Sequence, residues 1–485
     1  MAAREQRHAG RSRRRRGWVS WVPEAVVALV VVAAYGNAQY HLGHRWFGLS
    51  LADPTSNPAA VAPPAGLDLP VGAVAPAVAQ YSPGGHLDAA AVTAALAPVI
   101  SDSNLGGHVT IQVTELGTGK VVYRHGDYAV APASTNKLLT TTAALATLGP
   151  MSRFTTKVVA DGDAVTLVGG GDPFLASTPA KAHGQYPARA DLTTLARRTA
   201  TALAAAGTTR IRLSYDTSLF SGPAVDPHWP STYISENVVP PIGALWIDEG
   251  ADADGHYVSN PAQVAGDAFA NDLRALKVQV VGPVAEQKAP AAATQVAEIQ
   301  SAPLGEIVQE TLALSDNNAA EVIAHQVGLA VDHDGSYAGG TAAVFSVLHG
   351  LGVDLTGSHV YDGSGLSRDD RLTSVTLTDV LRVAASASHP GLREVLTGLP
   401  VAGFSGSLQR RFDNGPGAAR GRVRAKTGTL TGVHGLAGLA TDLDGDQLVF
   451  VMIADRVSLE DNLNAQHDLD LMAGALGACH CGQGP

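Results

Sequence analysis

The stretch from about residue 155 to about residue 295 constrains the fold more than any other feature of this 485-residue chain. Within it the pattern breaks into short strand-like runs (Val165–Val168, Ile211–Ser214), Ala-rich helical segments at 191–206 and 264–276, and loops such as Gly169-Gly170-Gly171-Asp172-Pro173. A chain this long exceeds one simple core. The stretch therefore reads as an inserted domain, 155–295, and its flanks, 86–154 and 296–485, must meet in space as a second domain.

The flanks carry clearer signals. Asp88 to Ile100 reads as a helix. Val109, Ile111 and Val113 alternate, Gly117-Thr118-Gly119 turns, and Val121 and Tyr123 alternate back, which predicts a β-hairpin. A helix is expected from Ser134, with Leu138, Leu139, Ala143 and Leu145 on it, stopping at Gly149-Pro150. Two more follow the insert, marked by Leu304, Ile307, Val308 and Leu312, then by Ala319, Val322, Ile323 and Val327. Leu436–Ala440 and Leu448–Ala454 read as strands around Asp442-Leu443-Asp444-Gly445-Asp446. That acidic turn lacks the Glu that closes a calcium loop, so a hairpin turn is favoured.

The N-terminus predicts export. Seven arginines and one glutamate fall in residues 1–17, and taking that +6 from the formal −11 leaves −17 for the rest. An acidic body argues against nucleic acid as a partner. The arginine block leads into an apolar segment, 18–38, whose usable length from Trp18 approaches the ~20 residues a bilayer core requires. Arginine-rich flanks stay cytoplasmic, so the chain beyond Tyr35 is expected outside the cytoplasmic membrane. Gly36-Asn37-Ala38 offers the small residues a signal peptidase accepts, so an anchor and a cleaved signal peptide both stand. Residues 39–85, rich in Pro, Ala and Gly, read as a tether. Cys479 and Cys481 make a poor metal cage with one neighbouring histidine, and a terminal staple or inert thiols are favoured.

Three short motifs carry chemistry. Ser134-Thr135-Asn136-Lys137 places a hydroxyl and an amine three apart on one helix face, near the positive N-terminal field. Partial burial would leave that amine neutral and basic. Ser315-Asp316-Asn317 falls between two helices, where it either caps a helix or presents a proton-relaying hydroxyl and a substrate-gripping amide. Lys426-Thr427-Gly428-Thr429 lies on a strand whose glycine admits another backbone, so an extended substrate could pair there. The lysine and the two threonine hydroxyls would then receive a terminal carboxylate. Of seven lysines, only Lys137 has a serine three positions before it and only Lys426 begins Lys-Thr-Gly. No His-Glu-x-x-His, P-loop or Gly-x-Ser-x-Gly pattern competes, so neither metal nor cofactor is expected.

The ordered triple Ser-x-x-Lys, Ser-Asp-Asn, Lys-Thr-Gly resembles penicillin-binding proteins and class A β-lactamases. Ser134 and Ser315 stand 181 positions apart, room for an insert that β-lactamases lack. The pattern is similar to the class C low-molecular-mass penicillin-binding proteins, the D-alanyl-D-alanine carboxypeptidase/endopeptidase family. Gly169–Pro173, Leu314–Asn318, Asp362-Gly363-Ser364-Gly365-Leu366-Ser367-Arg368 and Leu399–Gly403 match as well. The insert is shorter than in the family's larger members, so one of their two inserted domains is expected to be missing or much reduced.

The resemblance implies an α/β (α+β) penicillin-binding, transpeptidase-like fold: an antiparallel sheet flanked by helices, a helical lobe carrying Ser315, and the smaller inserted domain. It implies Ser134 as nucleophile, Lys137 as its base, and Ser315, Asn317 and Lys426 as the surrounding hydrogen-bond network. Thr427, Gly428 and Thr429 would line the substrate strand, and the N–H groups of Ser134 and Thr429 would form an oxyanion hole. The implied substrates are peptidoglycan stem peptides, with β-lactam antibiotics as covalent inhibitors. A β-lactamase-type hydrolase is the second reading, disfavoured by the insert. A sensor or wall-binding protein that acylates without turnover is the third, disfavoured by the short cytoplasmic segment.

Overall fold

A computed structural model describes residues 86–413 and 415–482. The basic segment 1–17, the apolar segment 18–38 and the tether 39–85 lie outside the described residues. Among the described residues no helix is long and apolar enough to cross a membrane.

The first sheet has five strands in the order β2-β1-β11-β10-β9: β1 Val109–Glu115, β2 Val121–His125, β9 Val423–Leu430, β10 Val433–Thr441 and β11 Gln447–Ala454. Every pair in it is antiparallel, including the β1–β2 hairpin. Leu448–Ala454 is an unbroken apolar run because β11 is covered on both faces. Leu448, Phe450 and Met452 pack with the terminal helices Ala89–Ile100 and Asn462–Ala478. Val449, Val451 and Ile453 pack toward a helical layer built by Lys137–Leu148, Leu304–Ala313, Asn317–Asp332, Tyr337–Gly350 and Ser374–Ala385. The acidic turn between β10 and β11 satisfies itself: the Asp442 carboxylate accepts from the N–H groups of Asp444 (3.0 Å), Asp446 (2.8 Å) and Cys481 (3.2 Å). Cys479 and Cys481 are joined by a disulfide.

The second sheet draws all its strands from Thr155 to Gln300: β3 Thr155–Asp161, β4 Ala164–Val168, β5 Arg210–Asp216, β6 Gln279–Val280, β7 Ala285–Glu286 and β8 Thr294–Gln300. Its order is β6-β5-β4-β3-β8, with β7 also on β5. Unlike the first sheet it is mixed, because the Leu192–Ala205 helix lies between β4 and β5 in the chain and lets them pair parallel. That helix and Pro261–Ala275 bury their apolar faces with Val158, Val165, Leu167, Ile211 and Leu213 in a core of their own.

Candidate active site

Ser134 sits in a tight turn, Ala133–Asn136, that runs directly into the Lys137–Leu148 helix. Ala133 before it has φ +47°, a left-handed strain that persists only where surrounding packing enforces it. Lys137, fully buried, donates from Nζ to Ser134 Oγ (2.9 Å), Asn317 Oδ1 (2.7 Å) and the Ser364 carbonyl (2.8 Å). Burial pushes its pKa down to about 8, against the upward pull of the Asp362, Glu321 and Asp316 carboxylates.

Ser315-Asp316-Asn317 occupies the break between the Leu304–Ala313 and Asn317–Asp332 helices, and its residues divide the two expected roles. The Asp316 carboxylate caps the second helix by accepting from Ala319 N (3.0 Å). The flanking pair turns to the lysines, Asn317 to Lys137 and Ser315 to Lys426. Ser315 carries φ +62°, a second strained backbone at the same site.

Lys426 lies on β9, the sheet's edge strand, and is also fully buried. Its Nζ donates to Ser315 Oγ (2.8 Å) and to Thr427 O (2.9 Å). Burial, then the charges of Lys137 and Arg411, hold this amine well below the usual lysine range. Gly428 brings β9 against the Ser134 turn: a Cβ there would stand 2.7 Å from Pro132 O and 3.2 Å from Thr135 Cγ2. Thr429 is open to solvent. Thr427 is buried, its hydroxyl hydrogen-bonded with Ser407 Oγ (3.0 Å).

Ser134, Lys137, Asn317, Ser315 and Lys426 are thus linked into two hydroxyl–amine pairs, with Thr427, Gly428 and Thr429 along the adjoining strand. Sequence reasoning missed three contributors: the Ser364 carbonyl, the Glu321 carboxylate beneath it and Ser407. The Asp362–Arg368 segment was visible as a motif, but a main-chain carbonyl leaves no residue signature. Among the described residues no cluster of three His, Cys, Asp or Glu side chains could hold a metal ion.

Known proteins resemble this chain over most of its length. The model of the D-Ala-D-Ala carboxypeptidase 3 (S13) family matches residues 92–253 and 253–476. A carboxypeptidase of Mycobacterium tuberculosis is 37% identical over 407 residues, covering 81% of this chain and 85% of its own. Carboxypeptidase DacB of Mycolicibacterium smegmatis is 34% identical over 468 residues, covering 94% and 96%. Among solved structures, penicillin-binding protein 4 (dacB) from Haemophilus influenzae superposes with a TM-score of 0.66 at 20% identity, covering 79% of this chain and 98% of its own, a likeness of fold. The chain belongs to the D-Ala-D-Ala carboxypeptidase 3 (S13) family of serine hydrolases.

Proposed function

We propose that Ser134 is the acyl-accepting nucleophile with which this carboxypeptidase removes the terminal D-Ala of peptidoglycan stem peptides, and that Lys137 is its base. Ser134 Oγ attacks the penultimate D-Ala carbonyl as its proton passes to Lys137 Nζ. Backbone N–H groups of Ser134 and Thr429 receive the developing oxyanion. The Ser315 hydroxyl, held by Lys426, passes its proton to the leaving amine and takes up the one carried by Lys137, the C–N bond breaks, and water, deprotonated by the freed Lys137 amine, then hydrolyses the ester. Lys426 and the hydroxyls of Thr427 and Thr429 receive the substrate's terminal carboxylate, while its main chain pairs along Thr427-Gly428-Thr429.

The observation that carries this reading is the pairing of each buried lysine amine with a serine hydroxyl, at 2.9 Å and 2.8 Å. β-Lactams present a strained amide to the same nucleophile and should acylate Ser134. The same reading makes residues 155–295 an inserted domain and holds the protein outside the cytoplasmic membrane by segment 18–38, with the arginine block inside.

Incubation with a pentapeptide ending in D-Ala-D-Ala should release free D-Ala, and a crosslinked muropeptide dimer tests endopeptidase action alongside it. A stable acyl-enzyme without D-Ala release would replace the peptidase reading by that of a non-turnover binder. A reporter active only outside the membrane, fused after Pro485, should be active, and a stable but inactive fusion would overturn the topology.

A further inference from the structure

A neutral amine has two N–H bonds and one lone pair, yet Lys137 Nζ has three partners. Asn317 Oδ1 and the Ser364 carbonyl can only accept, whereas Ser134 Oγ can also donate. When both acceptors are in place they take both N–H bonds, and the lone pair is left facing the Ser134 hydroxyl. If either moved away, a free N–H could turn toward Ser134 and the lone pair would point elsewhere. Lone-pair aim thus depends on where the Ser364 carbonyl is held.

Glu321 holds it. Its carboxylate is fully buried and accepts from Gly363 N (2.9 Å) through one oxygen and Ser364 N (2.8 Å) through the other. Glu321 lies one helical turn after Asn317, so one helix face supplies one acceptor directly and fixes the other through the loop. The remainder of the loop is pinned as firmly. The Asp362 carboxylate accepts from Gly365 N (2.6 Å), Ser367 N (2.7 Å) and Trp229 Nε1 (2.7 Å). Thr140 Oγ1 donates to the Gly363 carbonyl (2.7 Å), and a Cβ on Gly365 would overlap the Ala133 carbonyl.

The geometry points to Glu321 as a positioning residue that aims the Lys137 lone pair at Ser134 by clamping the Ser364 carbonyl. The inference rests on Lys137 being the base. Glu321 has a second, electrostatic effect that supplies a signature. The titratable groups facing Lys137 are Glu321 and Asp316 on the helix side, Asp362 in the loop and Lys426 on β9; the three carboxylates, in their ionised form, favour its protonated form. Glu321 is itself pushed up by burial and then by Asp362, with Asp226 adding to this and the two N–H donors pulling back. Each of its two oxygens accepts an N–H, the arrangement of an ionised carboxylate, and removing that charge lowers the pKa of Lys137, so neutral amine persists to lower pH.

The test is the second-order rate constant for acylation by a labelled penicillin, measured on the full chain from acid to alkaline pH, with a melting curve for each variant. Glu321→Gln keeps the shape but sets an NH2 against a backbone N–H, releasing the clamp. It should lower the plateau by about tenfold or more and move the acid limb to lower pH. A purely structural role would reduce the number of active sites but leave the rate constant per site and the limb in place, and that result overturns the proposal.

Should Glu321→Gln fail to fold, Thr140→Val loosens the same loop from its other side. It should lower the plateau without moving the limb, and an unchanged plateau is again fatal. Lys137→Met separates the layers. Wild-type acylation in that variant removes the base reading and the clamp with it. A dead Lys137→Met beside an unaffected Glu321→Gln removes the clamp alone.

Discussion

Gly428→Ala is the smallest change that tests how closely β9 must approach the nucleophile. Its backbone conformation suits any residue, so the effect is steric. The added Cβ would stand 2.7 Å from Pro132 O, where ordinary contact begins at 3.4 Å, and would also press on Thr135 Cγ2 at 3.2 Å. The nearest atom is main chain two residues before Ser134 and cannot swing aside as a flexible side chain would. Strand and turn must separate by roughly 0.7 Å, the shortfall between those two distances. Overpacking of this kind costs about 1–3 kcal/mol of stability. A displacement of order 1 Å between reacting groups costs up to about 10² in rate. The variant should therefore fold with a lowered melting temperature and lose about tenfold to a hundredfold in kcat/KM for a D-Ala-D-Ala peptide. Steady-state kinetics and a thermal melt read both. A variant with wild-type kcat/KM would show that the contact between strand and turn is not needed to align substrate with Ser134, and the argument from Gly428 would fail.

Acylation should depend on pH with a definite sign. With Lys137 at about 8, roughly one amine in eleven is neutral at pH 7, against about one in three thousand at the ordinary 10.5. The rate should climb about tenfold per pH unit up to about pH 8 and then level; a flat profile, or a limb near the ordinary lysine value, refutes the buried-base assignment. Lys426→Arg should lose about 10²–10³ in turnover, because a planar fork cannot reproduce the compact amine on Ser315 Oγ, and its larger side chain in a fully buried position should also lower the melting temperature. Unchanged kinetics in that variant would make the third motif ornamental.

The legible parts of this chain were those whose physics is local. Val109, Ile111 and Val113 alternate because one side of β1 faces the terminal helices, and period-two alternation survives in the sequence. Ser134, Lys137 and Lys426 stood out because, of seven lysines, only Lys137 has a serine three positions before it and only Lys426 begins Lys-Thr-Gly. The parallel pairing of β4 with β5 was not legible. Both strands and the Leu192–Ala205 helix between them were read singly, but which strands pair is a non-local contact, and two-residue strands such as Gln279–Val280 and Ala285–Glu286 are too short to show a period. Glu321 was hidden for a different reason. Within the Asn317–Asp332 helix it looks like any helical glutamate, and only the fold reveals two loop N–H groups on its carboxylate. The partner of the Thr427 hydroxyl is likewise Ser407, twenty residues earlier, a contact no local pattern encodes.

The central claim is that Ser134 takes the acyl group. The most direct measurement is peptide mass spectrometry of the full chain after incubation with a labelled penicillin, beside the Ser134→Ala variant. The account predicts one adduct, on the peptide containing Ser134, and none in the variant, because among the chain's serines only Ser134 has a lysine amine one helical turn on and within 2.9 Å. An adduct on any other residue, or labelling that survives Ser134→Ala, would contradict it.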